Sequence, residues 1–324
     1  MSGPALVAPD SFKGTFAAAE VAAAIARGLQ AAGQEAVEVP LGDGGEGTMD
    51  VLLEALGGER RTATVADPLG RPVQATFGLL ADGRTAIVEA AQASGLHRVD
   101  AEERDAWAAS STGTGELIAA AAAAGAGTVI VTVGGSATTD GGSGALEALA
   151  AAGVDPDIEV LCDVRTPFED AARVFGPQKG ADPDTVERLT QRLHSLAQDA
   201  PRDPRGEPMT GAAGGLAGGL WAHRGARLRL GASYVLDAVG FDDRAQESCF
   251  VVTGEGRLDA QSLDGKVCGE VAARCRDRRV PCHAIVGENA LERGEGQAVE
   301  LASVSEATTL EELEAAARRL VRPD

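Results

Sequence analysis

The chain has 324 residues, of which 44% are apolar and only 3% aromatic, and it carries a formal charge of −20 at pH 7. That length suits two domains, or one large α/β unit with an insertion, built on an Ala, Val and Leu core. The charge excludes binding to nucleic acid and to anionic membranes, both of which need basic surfaces. The start, Met1-Ser2-Gly3-Pro4, has neither the basic nor the apolar region of a secretory signal, and no apolar run approaches 18 residues, so a cytoplasmic location is expected. Five cysteines (Cys162, Cys249, Cys268, Cys275, Cys282) form no CxxC pair and read as inert thiols in a reducing compartment.

In chain order, residues 5–8 predict a first strand. Val21, Ile25 and Leu29, spaced by four, predict an amphipathic helix stopped at Gly33. Residues 35–41 alternate as a second strand, and Thr48 caps a helix carrying Leu52, Leu53 and Leu56. Residues 62–90 are Thr-rich, with turns at Asp67-Pro68 and Asp82-Gly83, which predicts hairpins and the start of a second domain. Strand–helix alternation returns at 128–152. Asp182-Pro183 opens a helix with Val186, Leu189, Leu193 and Leu196 on one face, and the proline-rich stretch 200–208 reads as a linker. A last βαβ unit spans residues 250–286, and Thr309-Leu-Glu-Glu312 is a capping box.

The predicted fold class is a two-domain α/β protein. One parallel α/β domain would comprise residues 1–65 and 236–324, with an inserted α/β domain at 66–235.

Only three lysines occur against 26 arginines, and each touches a glycine: Lys13-Gly14, Lys179-Gly180 and Gly265-Lys266. Arginine serves where any surface cation will do, whereas a compact ammonium on a glycine turn suits an anion such as phosphate. The strand at 128–133 runs into Gly134-Gly-Ser-Ala-Thr-Thr-Asp-Gly-Gly142 and then a helix, a place where backbone N–H groups face an anion. Ser136 and Thr138 add hydroxyl donors, and Asp140 is a candidate for Mg²⁺ or for accepting a proton. Gly42-Asp-Gly-Gly-Glu-Gly47 matches the dinucleotide fingerprint, so a nicotinamide-dependent oxidoreductase is the competing enzyme reading. Asp43 and Glu46 would oppose a pyrophosphate there, and they suit Mg²⁺ coordination or general-base work better. Thr253-Gly-Glu-Gly-Arg-Leu-Asp259 presents Glu255, Arg257 and Asp259 just ahead of Lys266, with Arg257 able to grip a carboxylate bidentately. The run 211–219 reads either as a ligand loop or as close packing through small residues. Walker A, GxSxG and HExxH motifs are absent, and the four histidines are scattered.

Together these loops resemble the bacterial type I glycerate kinase family. The resemblance rests on Ala8-Pro-Asp-Ser-Phe-Lys-Gly14, Gly42-Asp-Gly-Gly-Glu-Gly-Thr48, residues 134–142, Phe175-Gly-Pro-Gln-Lys-Gly180, Gly211-Ala-Ala-Gly-Gly215 and residues 253–259, in the family's order. It implies ATP-dependent phosphorylation of D-glycerate, giving 2-phosphoglycerate for preference, by a flavodoxin- or Rossmann-like parallel α/β/α domain joined to a second α/β domain, with the active site in the cleft between them. Mg²⁺ is the expected cofactor, and a homodimer is one assembly left open. A member that binds an anionic metabolite without catalysis is the non-enzyme alternative.

The expected catalytic set is Asp10, Lys13, Asp43, Lys179, Arg257 and Asp259. Gly134, Gly135, Ser136, Thr138 and Lys266 are expected to bind the nucleotide, and Asp140 and Glu255 the metal. Against the family pattern, a middle segment is replaced here by Gly153-Val-Asp-Pro-Asp157. Thr139 and Thr166 stand where asparagine is usual, and Asp264 where histidine is common.

Overall fold

The computed structural model describes residues 3–263, 265–291 and 300–321; Asp264 lies outside them. Its contacts divide the chain into two compact units, Met1–Asp43 with Gly231–Asp324, and Gly44–Leu230. None of the described helices is long and apolar enough to cross a membrane.

The first unit is built on a five-stranded sheet in the order Ser303–Glu306, Cys282–Val286, Phe250–Thr253, Ala5–Val7, Ala36–Glu38. All neighbours pair in parallel. Counted along the chain this is the order 2-1-3-4-5, the flavodoxin arrangement. Strands buried on both faces read as short continuous apolar runs, which is why Ala5-Leu6-Val7 and Val251-Val252 carry no polar alternation. The helices Ala18–Ala31 and Leu310–Val321 cover one face. Their apolar stripes, Val21, Ile25 and Leu29 against Leu313, Ala316 and Ala317, form one buried cluster with Ala5, Val7, Val252 and Ile285. Gly28 is required there, because a Cβ would lie 2.2 Å from the Glu314 carbonyl. The strand order places its reversal point between Ala5–Val7 and Phe250–Thr253, and α/β sheets bind ligands beyond the carboxyl ends of strands at such a point.

The second unit holds a six-stranded mixed sheet in the order Gly58–Ala66, Pro72–Leu80, Thr85–Glu89, Thr128–Thr132, Asp157–Cys162, Arg227–Leu230. Its first three strands pair antiparallel through the turns seen in the sequence at Asp67 and Asp82. The rest pair in parallel. Helix Pro183–Asp199 is capped by Asp182, whose carboxylate accepts from the Thr185 N–H at 2.8 Å, and it buries Leu189 and Leu193.

The unit boundaries differ from the 65/66 and 235/236 positions expected from sequence. Helix Thr48–Leu56 packs Met49 and Leu53 onto Gly78 of the second sheet, so the second unit starts ahead of that helix. The composition change seen at residue 62 falls inside a hairpin that begins at Gly58. At the other end, strand Arg227–Leu230 closes the second sheet and helix Gly231–Ala238 opens the return to the first unit.

Candidate active site

In the first unit, the segments leaving Ala5–Val7 and Phe250–Thr253 run side by side. The Asp10 N–H donates to the Gly254 carbonyl at 2.8 Å, and the Thr253 hydroxyl donates to the Ala8 carbonyl at 3.0 Å. A cavity of about 550 Å³ opens there, lined by Asp10, Lys13, Asp43, Glu255, Arg257, Asp259 and Lys266. Seven of the thirteen residues expected from sequence therefore come together at the reversal point of the sheet. A chain of charge −20 concentrates three cations in this one cavity, among five carboxylates once Glu288 is included.

Lys13 sits on a tight turn, bridged between Phe12 and Phe16, whose Gly14 adopts φ +79°. Its Nζ contacts Asp43 Oδ2 at 2.7 Å. Asp10 is buried, and its carboxyl is pushed well above the usual carboxylate range, first by loss of water and then by the neighbouring Asp43 charge. Lys13 and the Ser11 N–H, which donates to Asp10 Oδ1 at 2.7 Å, work against that shift. Burial likewise lifts Glu255 to about 7, against the nearby Ser262 hydroxyl, the Cys268 thiol and the charge of Lys266.

Ser262, which the sequence reading passed over, ties this loop together. Its hydroxyl donates to the Arg257 carbonyl at 3.2 Å and accepts from the Asp259 N–H at 3.1 Å, while its own N–H donates to Asp259 Oδ1 at 3.2 Å. The Asp-x-x-Ser spacing was the available signal, since it is the pattern of an Asx-type turn.

The second unit has a smaller cavity of about 220 Å³, where Gly134, Gly135, Ser136, Gln178 and Lys179 meet. Lys179 is almost fully buried, and its Nζ donates to the Thr138 carbonyl at 2.6 Å and to Ser136 Oγ at 3.1 Å. Burial pulls its ammonium down to about 7, with Asp140 opposing. The glycines here let two loops touch. A Cβ on Gly134 would lie 2.6 Å from Gly45 Cα, and one on Gly135, whose φ is +70°, would lie 2.2 Å from Glu46 Oε1. Close packing also marks 211–219, where a Cβ on Gly218 would meet Phe168 and one on Gly219 the Gly141 carbonyl, while Ala213 of the same run lines the cavity, so the run carries both features.

Several expectations are corrected. Thr138 does not line the cavity: it is fully buried, its Oγ1 has no hydrogen-bond partner, and only its carbonyl engages Lys179. Asp140 does not present itself to a metal. It is 1% exposed, and its oxygens accept from the Ser111 N–H and hydroxyl, the Gly142 N–H and the Gly144 N–H at 2.8–3.2 Å. Lys266, expected with the nucleotide loop, lines the first-unit cavity beside Glu255.

The dinucleotide reading of Gly42–Gly47 fails on topology. The strand before the motif, Ala36–Glu38, belongs to the first sheet, and the helix after it, Thr48–Leu56, packs on the second, so no βαβ unit surrounds it. Glu89 was also missed. It ends a strand, is buried with a raised carboxyl, and accepts from the Met49 N–H at 2.9 Å, which anchors that helix start.

If Asp140 serves the loop, its removal is a stability test. Asp140→Ala orphans three buried N–H groups at about 1–3 kcal/mol each. Urea denaturation without metal is therefore expected to show a loss of about 3 kcal/mol or more. A carboxylate that only held a cation would leave metal-free stability unchanged.

A metal fits the first cavity in a limited way. Among the described residues no group of three or more His, Cys, Asp or Glu side chains is arranged to hold an ion. Glu255 Oε1 is nevertheless buried without a hydrogen-bond partner. Mg²⁺ delivered on phosphates needs only one or two protein carboxylates, and Glu255 would supply one.

The glycerate kinase family model matches residues 5–157 and 152–322. The two stretches overlap at residues 152–157, where Gly153 makes a short left-handed turn between Ala152 and strand Asp157–Cys162. The chain is 39% identical to the glycerate 2-kinase of Escherichia coli K12 over 321 residues, covering 87% of this chain and 84% of that protein. It is 39% identical over 324 residues to the glycerate kinase of Bacillus subtilis 168, with the same coverage. A crystal structure assigned as glycerate kinase 2 of Salmonella typhimurium LT2 superposes with a TM-score of 0.83 at 35% identity, over 99% of this chain and 98% of that one. With a parallel α/β domain, an inserted mixed-sheet domain and the family's loops all in place along its length, the chain belongs to the glycerate kinase family.

Proposed function

We propose that this enzyme transfers the γ-phosphoryl group of ATP to a hydroxyl of D-glycerate, the 2-hydroxyl for preference, with Mg²⁺ as cofactor. The observation that carries the reading is the first-unit cavity, which gathers Lys13, Arg257 and Lys266 around buried carboxylates in an otherwise acidic chain. Arg257 and Lys266 bind the substrate carboxylate. Asp10, whose carboxyl is raised by burial, takes the proton of the attacking hydroxyl, since a general base works best when its pKa approaches the ambient pH. Lys13 and Asp43 hold each other at the cavity wall, and Asp259 fixes the turn that presents Arg257. The N–H groups at Gly134 and Gly135, with Ser136 and Lys179, receive the nucleotide phosphates. When bound, Mg²⁺ neutralises charge on the phosphate oxygens. Five cysteines without a disulfide support a cytoplasmic location.

The test is a coupled ADP-release assay with D-glycerate and Mg²⁺, with the product's phosphorus resonance distinguishing 2- from 3-phosphoglycerate. Turnover with D-glycerate is expected. A folded, Mg²⁺-supplied sample that turns over neither D-glycerate nor related hydroxy acids would sink the reading.

A further inference from the structure

Arg257 in the first-unit cavity is held by a carboxylate of the protein itself. Its Nη1 lies 3.0 Å from Glu288 Oε2, and its Nε lies 3.7 Å from Asp259 Oδ2. The Glu288 contact is set by backbone register. Arg257 and Glu288 are direct partners in a short parallel ladder, closed by the Glu288 N–H on the Gly256 carbonyl at 3.0 Å and the Ala290 N–H on the Leu258 carbonyl at 2.8 Å. Gly287 makes this approach possible, since a Cβ there would lie 2.4 Å from the Gly256 carbonyl. Glu288 also lines the cavity, and both side chains are more than half exposed, at 59% and 57%.

A substrate carboxylate can grip a guanidinium bidentately only along an edge of the fork, and the structure's own carboxylates stand at those edges. We infer that Glu288 sets the affinity of this cavity for acid ligands: it is a placeholder carboxylate that an incoming carboxylate must displace from Arg257. Hydroxylated ligands without an acid group take no part in the exchange, so Glu288 weakens the binding of hydroxy acids and leaves that of neutral polyols unchanged. An exposed ion pair is worth little, and so the displacement is easy. The inference rests on the proposed hydroxy-acid substrate, and its test is separate from turnover.

Calorimetric binding of D-glycerate without nucleotide reads the effect. Glu288→Gln is expected to lower the Kd for D-glycerate three- to fivefold, while the weaker binding of glycerol, which shares the carbon skeleton but lacks the carboxylate, stays the same. Glu306→Gln is the charge control. It removes an equal charge from the adjoining strand, where Glu306 accepts from the Asn289 N–H at 2.8 Å and does not line the cavity. An unchanged or higher Kd for Glu288→Gln would mean that Glu288 merely positions Arg257, and equal tightening in Glu306→Gln would mean general charge repulsion. Either result overturns the inference. Loss of turnover with every hydroxy acid, alongside the predicted Kd shift, would strike the proposed reaction and leave the displacement standing.

Discussion

Asp10→Asn is expected to lower kcat by about 10²- to 10⁴-fold, the range for loss of a general base, while making the protein more heat-stable. The two effects share a cause. Asp10 is buried beside Asp43, so its carboxyl holds a proton to higher pH in the folded chain than in the unfolded one. Between those two values the native state binds more protons, so stability falls as pH rises, and above the folded value the cost of the buried charge is present in full. Asparagine removes that cost and still accepts from the Ser11 N–H. Melting curves at pH 7–8, taken alongside kcat, check the pair. A variant that kept its activity would take the proton-accepting role away from Asp10, and one that lost stability would show the carboxylate to be structurally paired rather than poised. Gains in stability on removing a functional charge are the usual mark of an active-site group.

Lys179→Met is expected to raise the KM for ATP at least about tenfold, because a charge-assisted hydrogen bond to phosphate is worth about 1.5–3 kcal/mol. The variant should also flatten the pH dependence of stability. The folded ammonium titrates near 7 and the unfolded one near 10.5. Below pH 7 both states are protonated, and the penalty of burying the charge is complete. Between 7 and 10.5 the unfolded chain binds more protons, so wild-type stability climbs with pH. Urea denaturation across that window should show the climb in the wild type and its absence in Lys179→Met. Parallel curves would mean that Nζ, despite its bonds to Thr138 and Ser136, reaches water.

Much of the site was legible because its parts are local. Strand, glycine turn and helix follow one another within about ten residues at Lys13, Gly134 and Thr253, and turn chemistry is written in residue type. The glycine beside each lysine has a backbone reason: Gly14, Gly180 and Gly265 adopt φ of +79°, +92° and +92°, where an L side chain is strained. What those lysines line differs. Lys13 and Lys266 line one cavity, whereas Lys179 lines the smaller cavity of the other unit, its Nζ tied to the Gly134 loop. Asp140 was misread for a related reason. A carboxylate in a glycine loop looks like a metal ligand until the donors it already serves are counted, and its Ser111 partner lies 29 residues away.

By itself the sequence determined the element types, the insertion of one α/β unit within another, and the residue chemistry of each loop, since periodicity, capping and left-handed turns act over a few residues. The tertiary structure alone decided the 2-1-3-4-5 strand order, which carries residues 10 and 255 to one cavity. It also decided the registry that sets Glu288 on Arg257 and the burial that shifts Asp10, Glu255 and Lys179. Those depend on long-range pairing and on the exclusion of water, and neither leaves a pattern in neighbouring residues.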